Sequence, residues 1–555
     1  MVLDRERLRP HAGRIIAGLV VVALGAAALV AARNARQDVT LAEGRRLLLE
    51  GDFTGAAAAF ERLQGSSRLG PQARAALTVA RAAGDDSGRL EPIAPADAKA
   101  AIDAAGVPMR PLLDGAMRNR RYRAALALGR LAAEGGDPSG LVYQAAAHVE
   151  GGRDDDARAL LDAHPDAFRA PGLGREVAQV LALRARGPAV IVRDRAGRLL
   201  GSVDGAGQFE AASGVPKEWV PPLALRELRP GSNAGARLAI DLALSRTAAE
   251  SLAGRRGTIV LLEPTTGAVR VALSDAATFA EGGTPAFDQQ REPASIQKLI
   301  TTTAALRAGL DPNAEIAHMT CTGSQRYGTG SLWCAYPGGR LTGLGHALAI
   351  SCNVAFANLG VKVGRAALID ELRRFGFDRT DSPGAGHIRQ PQGDERQLAD
   401  LSVGLEATEI TPAHAARLAA VFGADGSMPG VFLVAAEDGA MGMSPRPLAP
   451  PPSRRVLEAA WIPVMRAAMA SVTGPGGTAE GVAPPGFPVA MKTGTAATPG
   501  LGYHVNYIGV GPMPDPKVAF CLRLTHQPSS PAVSAAAREA LGSLLYRLGE
   551  GRASP

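Results

Sequence analysis

The hydrophobic pattern of the chain opens with one unbroken apolar run. Residues 15–32 carry no charge and are numerous enough to cross a bilayer as a helix. Arginines precede the run, which favours a cytoplasmic tail at 1–14, a single-pass anchor in the inner membrane at 15–32 and a periplasmic remainder. A cleaved signal peptide is the alternative, because the run is short and rich in alanine.

From residue 38 to 186 apolar residues recur with the period of an α-helix. Glycine-rich turns interrupt this pattern about once every dozen residues, and alanine or glycine stands where helices would cross. The pattern predicts an all-α domain over 38–186 that resembles a degenerate tetratricopeptide array. A plain helical spacer is the alternative, since alanine-rich helices imitate such repeats easily.

Beyond residue 187 the pattern changes to alternation, which is typical of strands. A hairpin that turns at 195–197 is predicted within a linker region at 187–229, and an amphipathic helix within 236–257. A strand, a turn and a second strand follow over 258–274. Two strands around residues 513–516 and a helix over 532–548 complete the chain. Helices that bracket an antiparallel sheet predict a mixed α/β (α+β) domain over 230–550.

Composition limits the partners that such a chain could take. With 555 residues, 46% hydrophobic and 20% charged, the chain is long enough for several globular domains. Its net charge of +7 comes from dispersed arginines, which argues against a nucleic-acid partner. Histidine and cysteine do not occur at metal-ligand spacings, so no metal is expected. Cys321 and Cys334 could form a disulfide outside the cytosol, and two free thiols are the alternative.

The scarcity of lysine draws attention to candidate chemistry. Only six of the 60 basic residues are lysine, and arginine cannot give up its proton in a protein. Ser295 and Lys298 stand at the head of an apolar helix, three residues apart on one face. A serine hydroxyl needs a base to become nucleophilic. A lysine that burial or a neighbouring cation keeps neutral could be that base.

Two further motifs strengthen this interpretation. Ser351 and Asn353 flank Cys352 at the predicted start of another helix, and a second scarce lysine heads the sequence KTGT at 492–495. The order S-x-x-K, S-x-N, K-T-G is the signature of penicillin-binding proteins and serine β-lactamases. Over residues 188–548 the chain resembles the transpeptidase domain of class B penicillin-binding proteins, within the serine β-lactamase and D,D-peptidase superfamily.

The resemblance implies a role for each motif residue. Ser295 would attack the D-Ala-D-Ala carbonyl of a peptidoglycan stem peptide and form an acyl-enzyme, with Lys298 taking its proton. Ser351 would relay that proton, and Lys492 would keep the site positive. The implied substrate-binding residues are Asn353, Thr493, Gly494 and Thr495. No cofactor is implied, β-lactams would be inhibitors, and the helical region could bind other cell-wall synthesis proteins.

Two departures from the family pattern keep alternatives open. Leu299 follows the lysine where class B enzymes usually have proline, and this stretch is closer to D,D-carboxypeptidases. Cys352 stands where aspartate is common. The chain is therefore interpreted as a D,D-transpeptidase, with a D,D-carboxypeptidase as runner-up and a β-lactamase or β-lactam sensor as less favoured. A catalytically idle scaffold with a muropeptide-binding domain is the alternative from another class.

Overall fold

A computed structural model describes residues 9–84, 95–185, 187, 189–228, 235–335, 337–380, 382–390 and 392–550, with the backbone alone at 9–20 and 95. The chain divides into two compact units. Unit 1 comprises Met1–Gly187 and Asp438–Pro445, and unit 2 comprises Pro188–Glu437 and Arg446–Pro555. Each unit has its own buried apolar residues.

Between residues 9 and 187, the described part of unit 1 forms helices joined by turns and short loops. Its helices are α1 (Arg9–Glu50), α2 (Phe53–Glu61), α3 (Gly70–Gly84), α4 (Pro95–Ala105), α5 (Met109–Arg118), α6 (Tyr122–Glu134), α7 (Ser139–Glu150), α8 (Asp154–Ala163), α9 (Pro165–Arg169) and α10 (Leu173–Leu183). Short turns join most of them, as the helix-period pattern predicts. The tetratricopeptide-like repeat itself stays a prediction.

Small residues set the helix spacing in unit 1. Gly129 of α6 and Gly140 of α7 face each other so closely that a Cβ on Gly140 would lie 2.3 Å from the Gly129 carbonyl oxygen. These positions therefore need glycine. At the end of α7, the Glu150 carboxylate accepts backbone hydrogen bonds from Ala440 (2.9 Å) and Met441 (3.0 Å), within the 438–445 segment of the same unit.

The predicted anchor falls on the first half of α1. Within the described part of the chain, no helix is both long and apolar enough to span a membrane. The predicted span at 15–32 overlaps residues 9–20, whose side chains lie outside the described part. The predicted tail at 1–14 also lies outside it, apart from the backbone of 9–14.

Unit 2 holds the strands. They are β1 (Ala189–Arg193), β2 (Leu199–Asp204), β3 (Phe209–Ala211), β4 (Gly235–Leu238), β5 (Gly257–Leu262), β6 (Val269–Ser274), β7 (Thr320–Cys321), β8 (Ser324–Tyr327), β9 (Gly330–Trp333), β10 (Gly339–Arg340), β11 (His387–Ile388), β12 (Thr408–Glu409), β13 (Ser427–Met428), β14 (Val434–Asp438), β15 (Arg446–Pro447), β16 (Arg454–Arg455), β17 (Ala490–Thr498), β18 (Gly502–Gly511) and β19 (Val518–Gln527).

The central sheet is antiparallel, in the order β17-β18-β19-β5-β6. Strands β5 and β6 are buried along their whole length, because the sheet is covered by helices. A second sheet has the order β15-β14-β4-β1-β2-β3 and contains the predicted hairpin β1–β2. The predicted class, an antiparallel sheet flanked by helices, is confirmed.

The helices of unit 2 complete the fold. They are α11 (Pro222–Arg226), α12 (Leu242–Leu252), α13 (Ala276–Ala280), α14 (Pro285–Asp288), α15 (Gln297–Arg307), α16 (Pro312–Ala317), α17 (Leu344–Ala349), α18 (Asn353–Val363), α19 (Arg365–Arg374), α20 (Glu395–Val403), α21 (Pro412–Gly423), α22 (Ile462–Ala470) and α23 (Ser530–Gly549). Helices α21 and α23 pack on the central sheet, and α23 extends slightly beyond its predicted bounds.

The predicted helix within 236–257 is wrong in its first part. Residues 235–238 form β4, which pairs in parallel with β1. The helix begins only at Leu242, because the Asp241 side chain caps it by accepting the N–H groups of Ala243 and Leu244. Helical spacing of apolar residues extends upstream of this cap and conceals the strand, which long-range pairing creates.

Candidate active site

Ser295 lies in a tight turn that leads into a buried helix. Residues Ala294–Ile296 form one 3₁₀ turn, and α15 continues from it. Ala294, directly before the serine, has a φ of 50°, a left-handed value that is uncommon for a residue other than glycine. Ser295 is half-buried, whereas the Lys298 side chain is completely buried. The turn therefore leaves the Ser295 residue partly exposed, while α15 buries the Lys298 amine.

The second motif lies at the start of α18. Ser351 has a φ of 56°, so its backbone is also left-handed. Cys352 caps the helix, its Sγ accepting the N–H of Ala355 at 3.5 Å. Asn353 is the first helical residue, and its Nδ2 donates to the Trp333 carbonyl oxygen at 2.6 Å. Strain of this kind costs about 1–3 kcal/mol per residue and tends to occur at functional sites.

The third motif lies on β17, the edge strand that runs beside the Ser295 turn. Thr493 Oγ1 forms a hydrogen bond with Thr478 Oγ1 at 2.7 Å. A Cβ on Gly494 would lie 2.6 Å from the Pro293 carbonyl oxygen and 3.3 Å from the backbone nitrogen of Ser295. Glycine is therefore required for the strand to approach the turn so closely.

The Ser351 hydroxyl joins the three motifs. Lys298 Nζ donates to Ser351 Oγ (3.1 Å), to the Ser351 carbonyl oxygen (2.6 Å) and to Asn353 Oδ1 (2.7 Å). Lys492 Nζ donates to the same Oγ at 2.9 Å and to the Thr493 carbonyl oxygen at 2.8 Å. Both lone pairs of the Ser351 oxygen are thus occupied, so its own proton is available for donation.

Burial controls the charge of both lysines. Desolvation lowers the pKa of Lys298 from 10.5 to about 7. Lys492 is also fully buried, and desolvation, together with the charge of Lys298, lowers its pKa well below the ordinary value. Neutral lysine is therefore accessible near neutral pH.

An open cavity of about 640 Å³ brings the predicted residues together. Its lining includes Ser295, Ser351, Asn353, Thr493 and Thr495, while the two lysines lie buried beneath them. Gly494 does not line the cavity and acts through its close packing against the turn. Sequence reasoning missed other lining residues. His346 and Ile350 closely precede the second motif, whereas Thr478, Ser530, Ser534 and Arg538 come from other parts of the chain.

Sequence reasoning also missed the network that supports the turn. His504 Nε2 and Asn506 Nδ2 both lie 3.1 Å from the Glu292 carbonyl oxygen, directly upstream of the Ser295 turn. The buried Arg523 donates to Asn506 Oδ1 and to the Gln289 carbonyl oxygen, both at 2.6 Å. Burial lowers the pKa of His504 to about 4, so this histidine is neutral and structural. Alternation along β18 and β19 predicts the strands but not these contacts.

The predicted disulfide is not formed in this structure. Cys321 and Cys334 are free thiols with their sulfur atoms 3.5 Å apart. The loop does bring them together, as its length allows. A third thiol, Cys352, lies 3.8 Å from Cys334. No spacing in the sequence predicts this third neighbour.

An antiparallel sheet with helices around it and a serine–lysine centre at its edge strand define the penicillin-recognising class of proteins. Within that class the chain belongs to the family of the penicillin-binding protein transpeptidase domain, whose model matches residues 257–545, more than half of the chain.

Curated relatives and solved structures agree with this assignment. The chain is 30% identical over 308 residues to a peptidoglycan D,D-transpeptidase PbpA of Mycolicibacterium smegmatis, a match that covers 48% of this chain and 60% of that protein. The matched part of the chain thus spans 60% of the length of that relative, and 50% of the length of the peptidoglycan D,D-transpeptidase PbpA of Mycobacterium tuberculosis.

Solved structures show the same fold at lower identity. The D,D-transpeptidase domain of a peptidoglycan glycosyltransferase from Eggerthella lenta superposes with a TM-score of 0.56 at 21% identity, covering 65% of this chain and 99% of that one. A ceftriaxone acyl-enzyme of penicillin-binding protein A from Mycobacterium tuberculosis gives a TM-score of 0.56 at 20% identity. This match covers 66% of this chain and 99% of that one.

Proposed function

We propose that this protein is a peptidoglycan D,D-transpeptidase that cross-links stem peptides through an acyl-enzyme at Ser295. The observation that carries the proposal is the Ser351 hydroxyl, which accepts hydrogen bonds from both buried lysines in the cavity that Ser295 lines. One nucleophile, one shared hydroxyl and two desolvated amines are what serine acyl transfer without histidine requires.

In the first step, Ser295 Oγ attacks the carbonyl carbon between the two terminal D-alanines. Neutral Lys298 has two hydrogens for its two carbonyl acceptors, so its lone pair can take the Ser295 proton. The C–N bond breaks, and Ser351 gives its proton to the departing D-alanine nitrogen. Lys298 restores that proton through its hydrogen bond to Ser351 Oγ and returns to the neutral form, while the Lys492 amine holds the same oxygen in place. The product is a serine ester plus free D-alanine.

The remaining motif residues bind the substrate. Asn353 lines the cavity and takes the amide of the stem peptide, while Thr493 and Thr495 hold the terminal carboxylate. The backbone N–H groups of Ser295 and Thr495 form the oxyanion hole, a type of donor pair often worth about 10²–10³ in rate. The closeness of Gly494 to the Ser295 nitrogen supports this pairing.

The acceptor of the acyl group distinguishes the two enzymatic alternatives. An amine from a second stem peptide gives a cross-link, and water gives carboxypeptidase activity. The relatives named as D,D-transpeptidases favour the amine. A cationic Arg538 at the cavity, together with the absence of carboxylates among the described lining residues, favours an acceptor that carries a carboxylate.

We further propose that the protein is anchored in the inner membrane by residues 15–32, with units 1 and 2 in the periplasm. The support is a set of large apolar side chains on α1 that face solvent, namely Val21, Val22, Leu24, Leu29 and Val30. Such a surface is stable only when lipid or protein covers it. Other cell-wall synthesis proteins are proposed as partners of the helical domain.

Labelling of the full chain with a fluorescent penicillin tests the proposal. A covalent band that disappears in Ser295→Ala is expected. A folded wild-type protein that gives no band, with the antibiotic intact, contradicts the acyl-enzyme and favours the scaffold alternative. Rapid loss of the antibiotic points instead to a β-lactamase.

A second assay separates transpeptidase from carboxypeptidase. The protein is incubated with a D-Ala-D-Ala peptide in the presence and absence of an amine acceptor peptide, and the products are resolved by mass spectrometry. A cross-linked product that grows at the expense of the hydrolysed one is expected. Hydrolysis alone, at every acceptor concentration, identifies a carboxypeptidase.

A further inference from the structure

Three cysteines meet directly beside the second motif. Cys334 Sγ lies 3.5 Å from Cys321 Sγ and 3.8 Å from Cys352 Sγ, and all three sulfur atoms lie within 4.8 Å of one another. We call Cys321, Cys334 and Cys352 the thiol cluster. The fourth cysteine, Cys521, is completely buried in β19.

The three thiols differ in access and in acidity. Cys334 is half-buried, whereas Cys321 and Cys352 are buried. A hydrogen bond with the Cys352 thiol lowers the pKa of Cys334, and the Val354 N–H, 3.5 Å from its sulfur, acts in the same direction. Oxidation begins at an accessible thiolate and is completed by a neighbouring thiol, and Cys334 with its two neighbours provides that arrangement.

The two neighbours connect to different parts of the protein. Cys321 and Cys334 bracket the hairpin β8–β9, so a bond between them closes that hairpin on itself. Cys352 stands between Ser351 and Asn353, which together supply all three acceptors of the Lys298 amine. A bond from Cys334 to Cys352 therefore affects Lys298, the proposed catalytic base, because Ser351 and Asn353 on either side of Cys352 hold its amine.

We propose that Cys334 is a redox-modification site with two alternative disulfide partners, Cys321 in the hairpin and Cys352 in the second motif. The bond to Cys321 leaves the site active, and the bond to Cys352 slows acylation. This second effect rests on the proposed function, whereas formation of the bonds does not.

The chemistry uses a peroxide as the two-electron oxidant. The Cys334 thiolate attacks hydrogen peroxide, which gives a Cys334 sulfenic acid and hydroxide. The thiol of Cys352 or Cys321 then attacks the sulfenic sulfur, forming the disulfide and releasing water. A dithiol reductant reverses the step by thiol–disulfide exchange.

Geometry sets the cost of each bond. A disulfide has a sulfur–sulfur length of about 2.05 Å, so either partner must move towards Cys334. Movement of Cys352 displaces the Ser351 carbonyl and the Asn353 amide, which hold Lys298 at 2.6 Å and 2.7 Å. A misplacement of about 1 Å at a catalytic group can lower a rate by about 10²-fold.

The test compares matched variants of the full chain. Cys321→Ser retains only the Cys334–Cys352 pair, Cys352→Ser retains only the Cys321–Cys334 pair, and Cys334→Ser removes the shared thiol. Each variant is treated with hydrogen peroxide, its disulfides are mapped by peptide mass spectrometry, and its fluorescent-penicillin acylation rate is compared with that of its own reduced form.

Oxidised Cys321→Ser is expected to contain the Cys334–Cys352 disulfide and to acylate about 10- to 10²-fold more slowly, with recovery in dithiothreitol. Oxidised Cys352→Ser should contain the other disulfide and keep its reduced rate, and Cys334→Ser should form neither bond.

An unchanged rate in oxidised Cys321→Ser overturns the proposal. So does a reduced chain that holds one Zn²⁺ and resists peroxide, since the cluster is then a metal site. A reduced chain that penicillin fails to acylate overturns the proposed function, and the peptide masses still decide the disulfides.

Discussion

At the scale of single residues, the site contains two lysines, Lys298 and Lys492, that are completely buried and form no ion pair with a described carboxylate. In the part of the chain that the structure describes, no carboxylate forms an ion pair with Lys298 or Lys492; carbonyl and hydroxyl oxygens surround them instead. Burial of an amine among neutral acceptors favours the uncharged form, because nothing repays the desolvation of the cation. In our proposal, this shift allows Lys298 to act as a base.

This arrangement predicts how acylation depends on pH. The rate constant for penicillin should rise as pH increases through about 7, because Lys298 becomes neutral there. Stopped-flow labelling between pH 5.5 and 9, a range chosen to bracket the Lys298 pKa, measures this rate constant. Lys298→Arg keeps the charge but cannot lose the proton, so it should lower the rate by about 10²–10⁴-fold. A flat profile in the wild type would exclude Lys298 as the base.

The same shift has a consequence for stability, with a definite sign. Between pH values of about 7 and 10.5, Lys298 is protonated in the unfolded chain and neutral in the folded chain. The contribution of this residue to the free energy of unfolding therefore rises with pH across that window. Urea unfolding of wild type and Lys298→Met at pH 7 and pH 9 measures it: the difference between the two proteins should shift in favour of the wild type at pH 9.

At the scale of elements, the site is made where three segments meet: the 3₁₀ turn before α15, the start of α18 and the edge strand β17. The motif residues could be found from sequence because scarce lysines and fixed short spacings mark them. The contacts of His504, Asn506 and Arg523 could not be predicted, since they join backbone carbonyls more than 200 residues away and no local pattern records them. Long-range contacts also determine strand β4 and the position of the third thiol, so local spacing predicts neither.

The closeness of β17 to the Ser295 turn gives a prediction about Gly494→Ala. The added Cβ meets the Pro293 carbonyl oxygen, so strand and turn must separate, at a cost of about 1–3 kcal/mol for overpacking. We expect acylation to fall by at least about tenfold, since the proposed oxyanion hole spans this contact. Gly486→Ala is the matched control, because its Cβ would meet nothing within 4 Å. Equal acylation rates in the two variants would refute the role of this contact.

At the scale of the whole molecule, the two units have separate cores and separate tasks in our proposal. The serine, both lysines and the cavity lie within unit 2. Unit 1 contributes none of the described lining residues, and its helices pack through alanine, glycine and larger apolar side chains of their own. Its proposed function is therefore to bind partners, and acylation should not depend on it.

Deletion of residues 38–186 tests this division. The segment 438–445 belongs to unit 1, so the variant also replaces these residues with a glycine–serine linker of equal length. Acylation by fluorescent penicillin should stay within about twofold of wild type, while localisation or co-purifying proteins change. Unchanged localisation and unchanged partners would remove the reason to assign a binding function to the helices.

The 438–445 segment also restricts how such a protein can be rearranged. Because it belongs to unit 1 while its flanking residues belong to unit 2, the chain passes between the units three times, at 187/188, 437/438 and 445/446. A recombination event at the first crossing alone would leave Glu150 without the Ala440 and Met441 amides that it binds. Exchange of either unit with another protein therefore needs two coordinated grafts, so the pair is inherited together more readily than two domains on a single linker.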